Sequence, residues 1–223
     1  AEAVVSELIS AGVSGIAISC DYFHEKFIPK ENAKNAVRAI TNLGLKTHCY
    51  IMGARCNSGV YNAEQINLVS QNLAIDVREN SQMPLAPTII RSIGKGSQIN
   101  IPKSSKVPQG MCSDLSECLG KRGPFNPAMV WVDAYGNVML CYGIVIGNVY
   151  NTPFIDIINN YSLENSEITK CISVGGPKEL LKLVNKNNIS MELKFYDECD
   201  VCFNARKVLQ PYYSELHPRE CYP

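Results

Sequence analysis

The residues best suited to chemistry in this 223-residue chain are its ten cysteines. A chain of this length can bury a sizeable core without disulfide staples, so so many thiols point to metal or redox chemistry. The closest pair is Cys199-Asp200-Val201-Cys202. On a helix that spacing sets two sulfurs one turn apart on the same side. The apolar pattern predicts such a helix from Asp200 to Gln210, ended by Pro211, so the pair falls at its N-terminus. Unsatisfied N–H groups and the positive end of the helix dipole favour thiolate over thiol there and stabilise an anion. Thioredoxin-like redox use competes for a CxxC, but this pair comes too late in the chain for that fold.

The other half of the constellation is Cys118 with Cys141, and Cys112 is the reserve for Cys118. Cys141 ends a predicted strand five residues after Gly136, a Gly-x4-Cys arrangement. Cysteines from a loop, a hairpin and a distant helix can enclose a tetrahedral thiolate site. Zinc and an iron–sulfur cluster both accept four thiolates. Structural zinc usually draws on two CxxC-like knuckles, and only one close pair exists here. A cluster, which often takes isolated cysteines, is therefore the favoured reading, with zinc kept as its competitor. Cys20 and Cys49 lie in apolar runs and read as core.

The elements that must position these sulfurs follow from periodicity. Helices are predicted over Glu2–Ala11, over Glu31–Leu43 with a stripe of Ala33, Ala36, Val37, Ile40 and Leu43, and from an Asn62 cap through Leu73. Strands are predicted over Val13–Cys20, Leu45–Met52 and Pro87–Ile90. Helix and strand alternating across short glycine turns signal βαβ units, a parallel sheet buried on both faces, and right-handed crossovers. The glycine- and proline-rich stretch from Ser92 to Pro127 breaks that pattern and sets a module boundary near residue 95. Beyond it come a hairpin of Met129–Asp133 and Val138–Cys141 turning through Gly136, and helices over Pro153–Tyr161 and Pro177–Asn187.

Cys118, Gly136-x4-Cys141 and Cys199-x2-Cys202 resemble the twitch module, the reduced form of the SPASM motif found after radical SAM barrels. The run from Pro127 to Cys141, followed by Gly147-Asn148, is similar to that module too. Val13-Ser-Gly-Ile-Ala-Ile-Ser-Cys-Asp21 resembles a mid-barrel strand whose end faces S-adenosylmethionine, which implies Ser19 and Asp21 as SAM-side residues. The CxxxCxxC triplet that holds the catalytic cluster of that family is absent, as is the glycine-rich SAM-binding turn. The resemblance therefore implies the C-terminal portion of a radical SAM enzyme. The expected fold is α/β: a partial (half) β/α barrel over 1–95, then a small α+β hairpin-helix, twitch/SPASM-like module over 96–223. One auxiliary 4Fe-4S cluster is implied, used to bind or oxidise a substrate. A second 4Fe-4S cluster and S-adenosylmethionine are implied only with the missing N-terminal barrel half. The chain by itself is expected to be inactive in SAM cleavage.

Other signals are weaker. Asp21 and His24 form either an acid–base pair or an ordinary strand-end turn. His48 reads as a satisfied strand residue, His217 as part of a solvated tail, and Trp131 as hairpin core. Arg91-Ser-Ile-Gly94-Lys-Gly96 is a weak anion motif with no Lys-Ser/Thr signature after it. Tyr212, Tyr213, Leu216 and Tyr222 suggest a strap over the second module. Twenty-one basic and twenty-one acidic residues cancel, which argues against nucleic-acid or anionic-membrane partners. The sequence has no membrane-length apolar run, and neither a secretory leader nor a location other than the cytoplasm is expected. Ala1 in first position suggests processing, trimming or a fragment. The implied partners are the N-terminal barrel half or a second copy of the chain, with a peptide as substrate. The alternative function is a non-catalytic, zinc- or Fe-S-stabilised peptide-binding module.

Overall fold

The computed structural model describes residues 1–45, 47–56, 60–89, 130–163, 166–192, 194, 195 and 197–222. The chain divides into two compact units, Ala1–Ile90 and Arg91–Pro223. The predicted boundary near 95 and the motif over 91–96 lie outside the described residues.

The first unit is a parallel α/β layer. Its elements are α1 (Glu2–Ser10), β1 (Ala17–Ser19), α2 (Tyr22–Glu25), α3 (Lys30–Asn42), β2 (Tyr50–Arg55), α4 (Ala63–Arg78) and β3 (Leu85–Ile89). The strands pair in parallel in the order β1-β2-β3. α1 packs on α3, and α3 on α4. Strands that advance in one direction through right-handed crossovers place their helices on one face, and these helix contacts agree. The core forms where Val37 and Ile40 of α3 and Leu73 and Val77 of α4 meet Ile51 of β2.

Ala33, Val37 and Ile40 of the predicted stripe on α3 are buried, whereas Leu43 is exposed, and several boundaries differ. β2 starts at Tyr50 because the preceding His48 turns the chain with a left-handed φ of +53°. His48 is thus a turn residue instead of a strand residue. Asn62 also has a positive φ and makes no side-chain cap bond, while Ala74 and Val77 extend the buried face of α4 beyond Leu73. Ala17 and Ser19 on β1 are exposed, so the sheet is not covered on both faces. Among the described residues, three parallel strands are present and no closed barrel.

α3 and α4 are also tied by charge. Lys30 and Lys34 both approach Asp76 at 2.8 Å. Their hydrogen bonds pull the Asp76 carboxyl down to about 2. A depressed folded pKa adds stability above the ordinary carboxylate range and loses it as pH falls through the folded value. Acid titration of the Asp76→Asn variant is therefore expected to show a shallower loss of stability than wild type between about pH 4 and pH 2. Parallel acid curves would remove this pair from the account.

The second unit is antiparallel. β4 (Trp131–Val132), β5 (Asn137–Cys141) and β6 (Ile144–Asn148) form a meander, followed by α5 (Phe154–Asn160), α6 (Glu167–Gly175), α7 (Pro177–Lys186) and α8 (Glu198–Leu209). Three short 3-10 turns complete the tail, the last over Arg219–Cys221. The core joins Leu140 and Ile144 to Ile168, Leu180, Phe203, Leu209 and Leu216. β6 and α6 extend the predicted hairpin-and-helix plan. Trp131 is 56% exposed, a correction to its predicted core role. It lies on β4, which pairs only with β5 among the described residues. Among the described residues no helix is long and apolar enough to cross a membrane.

Candidate metal centre

In the first unit, Ser19 is the exposed last residue of β1. Asp21 is buried, and its carboxylate has a structural task. Oδ1 accepts from the backbone N–H groups of Phe23 and His24, capping α2, and lies 2.9 Å from His24 Nδ1. Oδ2 accepts from Ala54 N at 3.2 Å, tying the end of β1 to β2. The acid–base pair is therefore in contact, within a cap that accounts for the carboxylate. Burial, followed by the neighbouring Asp21, pushes the Cys20 thiol up to about 11, which suits a core residue.

In the second unit, Cys141 is delivered by a tightly specified hairpin. Asp133 Oδ1 accepts from Tyr135 N and Asn137 N, each at 2.9 Å, and Oδ2 accepts from Asn137 Nδ2. Burial opposes ionisation of that carboxyl, but these hydrogen bonds prevail and its pKa falls. Gly136 supplies the φ of +78° that the turn requires. Beyond Cys141 the strand reverses through Tyr142 and Gly143. Gly143 has a φ of +80°, and a Cβ there would lie 2.6 Å from the Tyr222 ring, so only glycine fits.

Cys199 and Cys202 arrive on the first two turns of α8. Asp197 caps that helix, its carboxylate accepting from Asp200 N at 2.8 Å. The helix begins two residues earlier than predicted, so both cysteines lie within its N-terminal turns. Cys202 is buried and belongs to the main core, against which Cys141 packs.

What joins the strand cysteine to the helix is Arg206, one turn beyond Cys202 and only 1% exposed. Its Nε donates to the carbonyl of Cys202 at 3.1 Å, and Nη1 to the carbonyl of Tyr142. Nη2 faces Cys141 Sγ at 4.0 Å. Among the described residues no carboxylate pairs with it. Burial works against its charge, yet the Cys202 and Cys141 sulfurs and the Tyr222 oxygen outweigh that, and its pKa is displaced upward.

The tail closes over this point. Tyr222 stacks on Phe203 with ring centroids 5.5 Å apart and donates its hydroxyl to the Gly143 carbonyl. Burial raises its pKa, so the phenol stays protonated beside the arginine. Burial raises the neighbouring Cys221 thiol as well. Of the predicted strap residues, Leu216 and Tyr222 are buried, whereas Tyr212 is 63% exposed. His217 is exposed, with its ring against Gln210 Nε2 at 3.1 Å.

Of the predicted ligands, Cys141 and Cys202 converge on one guanidinium, and Cys199 sits a helical turn before Cys202. Cys118 and its reserve Cys112 lie outside the described residues. No disulfide joins the described cysteines. Among the described residues, no three His, Cys, Asp or Glu side chains are grouped closely enough to hold one metal ion. Sequence reasoning missed Arg206 and Cys221. For Cys221 a signal existed, since it adjoins Tyr222 of the predicted strap. Arg206 carried none, because an arginine in mid-helix ordinarily faces solvent.

The described residues by themselves do not make up a metal site. The desolvated guanidinium is met by two backbone carbonyls and faces the Cys141 sulfur. No family model matches the chain, and no curated protein matches it.

Proposed function

We propose that the second unit holds an auxiliary 4Fe-4S cluster on Cys118, Cys141, Cys199 and Cys202, and that the chain is the C-terminal portion of a radical-SAM-family protein. The supporting observation is the buried Arg206 set between Cys141 and Cys202 with no carboxylate partner among the described residues. When bound, such a centre supplies a Lewis-acidic or electron-accepting site for a substrate intermediate. The chain's own residues would hold the sulfurs on a capped helix and a rigid hairpin. The Tyr222 strap would limit solvent access.

The half-barrel reading of the first unit draws on its sequential strand order and its single layer of helices. A β/α barrel grows in that way, while a doubly wound sheet covers both faces. On this reading Ser19 and Asp21 lie at the SAM-side end of β1, and the partner is an N-terminal barrel half, or a second copy of the chain. A CxxxCxxC is then expected upstream of Ala1 in the parent gene. Anaerobic reconstitution tests the cluster: about four irons per chain with brown absorbance are expected. Zinc at about one per chain, with no iron, defeats it.

A second reading, a metal-stabilised peptide-binding module, is favoured by a cavity of about 320 Å³ alongside β6. Asp156, Tyr161, Thr169 and Glu215 line it beside Ile144–Gly147. An extended segment could lie along that strand. Reconstituted full-length protein that never cleaves SAM, yet unfolds on chelation, would favour this module.

A further inference from the structure

At the outer edge of β6, unpaired backbone, a cavity and uncompensated charge coincide. β6 ends its sheet, whose strands pair in the order β4-β5-β6. Beyond that pairing with β5, residues 144–147 make no backbone hydrogen bond among the described residues. All four line the cavity of about 320 Å³. Successive side chains of a strand point to opposite faces, so a cavity that touches every residue in turn runs along the edge and not over one face. Four residues of strand run about 13 Å, and the N–H and C=O groups along such an edge are satisfied together by another extended chain.

The remaining walls carry charge of one sign. α5 contributes Asp156, and the turn over Ser214–Leu216 contributes Glu215. Glu215 Oε1 accepts from Ser166 Oγ at 3.0 Å, the side chain that caps α6. Among the described residues neither carboxylate has an ion pair, and no Lys, Arg or His lines the cavity. The Tyr161 hydroxyl, also in the lining, is buried without a hydrogen-bond partner, since Thr169 Oγ1 beside it is committed to the Ser166 carbonyl at 3.3 Å. A buried polar group without a partner is costly, and a carbonyl carried into the cavity is an acceptor for this one.

We propose that the outer edge of β6 binds an extended peptide segment by strand addition, with a basic side chain of that segment set against Asp156 and Glu215. This rests on the peptide-binding reading given above and names its ligand class; it needs no metal. Main-chain bonds to the edge supply affinity, and the two carboxylates choose the sequence. A free amine meets the carboxylates but leaves the edge unpaired. An acidic segment pairs with the edge but faces like charge.

The test uses the full 223-residue chain and fluorescence anisotropy. The probes are labelled, end-blocked peptides of alternating valine and lysine, valine and serine, and valine and glutamate. The lysine peptide is expected to bind about tenfold more tightly than the other two, a preference that fades as salt rises. Asp156→Asn and Glu215→Gln each remove one charge and keep an acceptor. Each should weaken the lysine peptide about threefold and spare the serine peptide. Glu167→Gln, at an exposed carboxylate of α6 outside the cavity, should leave binding unchanged. N-methylation of one alternate set of peptide amides, the set that faces β6, should weaken binding at least about tenfold.

A chain that is monomeric by light scattering and binds none of the peptides sinks the peptide-binding reading and the proposal together. A dimeric chain that binds none gives the edge to a second copy and overturns the proposal. Equal affinity for the three peptides, or an equal loss in Glu167→Gln, overturns it and leaves the peptide-binding reading standing. Affinity that survives N-methylation of either alternate set, or that N-acetyl-lysine amide matches, overturns strand addition. If Glu215→Gln does not fold, Asp156→Asn decides by the same threshold.

Discussion

Replacing Cys141 with Ser is expected to lower metal affinity by more than about a hundredfold while leaving the metal-free fold within about 1 kcal/mol of wild type. The two effects separate because Cys141 is only half-buried at the end of β5, and Ser is nearly isosteric there. What Ser lacks is a soft anionic sulfur. Oxygen at this position cannot complete a thiolate set, and Arg206 Nη2, 4.0 Å away, loses its sulfur partner. Stabilisation by bound metal scales with the logarithm of affinity, so a hundredfold loss removes about 2.7 kcal/mol of it near saturation. Cys171→Ser is the control. Cys171 lies on α6, burial raises its thiol pKa, and nothing places it beside the arginine. It should bind metal as wild type does. Competition with a chromophoric chelator measures both variants, and equal affinity for Cys141→Ser would remove the hairpin from the site.

Phe203→Ala is expected to destabilise the second unit by about 3–5 kcal/mol. The ring is 1% exposed and sits between Tyr222, 5.5 Å away, and Tyr142, 6.2 Å away. Its removal leaves a cavity under the strap and withdraws the face on which Tyr222 stacks. The tail after Leu209 should then become more susceptible to limited proteolysis. Val174→Ala offers the contrast, since Val174 is 74% exposed in the same unit and its loss should cost within about 0.5 kcal/mol. Chemical denaturation followed by tryptophan fluorescence suits the comparison, because the chain has one tryptophan, Trp131, and it lies in this unit. A shift below about 1 kcal/mol for Phe203→Ala would mean that the strap does not depend on this stack.

How much could be read in advance depended on how local the cause was. The stripes of α3 and α4 were legible because burial at every third or fourth residue is written directly in Ala33, Val37 and Ile40, and in Ile66 and Leu73. The hairpin leading to Cys141 was legible for a similar reason, since Gly136 is the residue its turn needs. The third strand, Ile144–Asn148, was not predicted, because only Tyr142 and Gly143 separate it from β5 and no turn signal stands out in that run. α6 escaped notice because Thr169, Ser173, Val174 and Gly175 are weak helix formers. Its Ser166 cap, which accepts from Thr169 N, was the available signal. His48 and Asn62 adopt left-handed backbones that side-chain patterns do not encode.

For the site, the helix that carries Cys199 and Cys202 was readable from spacing and a nearby proline. The convergence of Cys202 with Cys141 through Arg206 was not, since the arginine and Cys141 are 65 residues apart. A buried guanidinium becomes tolerable only when distant sulfurs and carbonyls fold around it. That condition belongs to tertiary structure, and no local pattern announces it.

X-ray absorption at the metal edge, on the full chain loaded anaerobically, tests the convergence of these thiols on one centre most directly. A first coordination shell made of sulfur alone is predicted, with at least one sulfur replaced by a lighter atom in each of the Cys141→Ser, Cys199→Ser and Cys202→Ser variants. A wild-type shell of nitrogen and oxygen, or a sulfur shell unchanged in those variants, would contradict it.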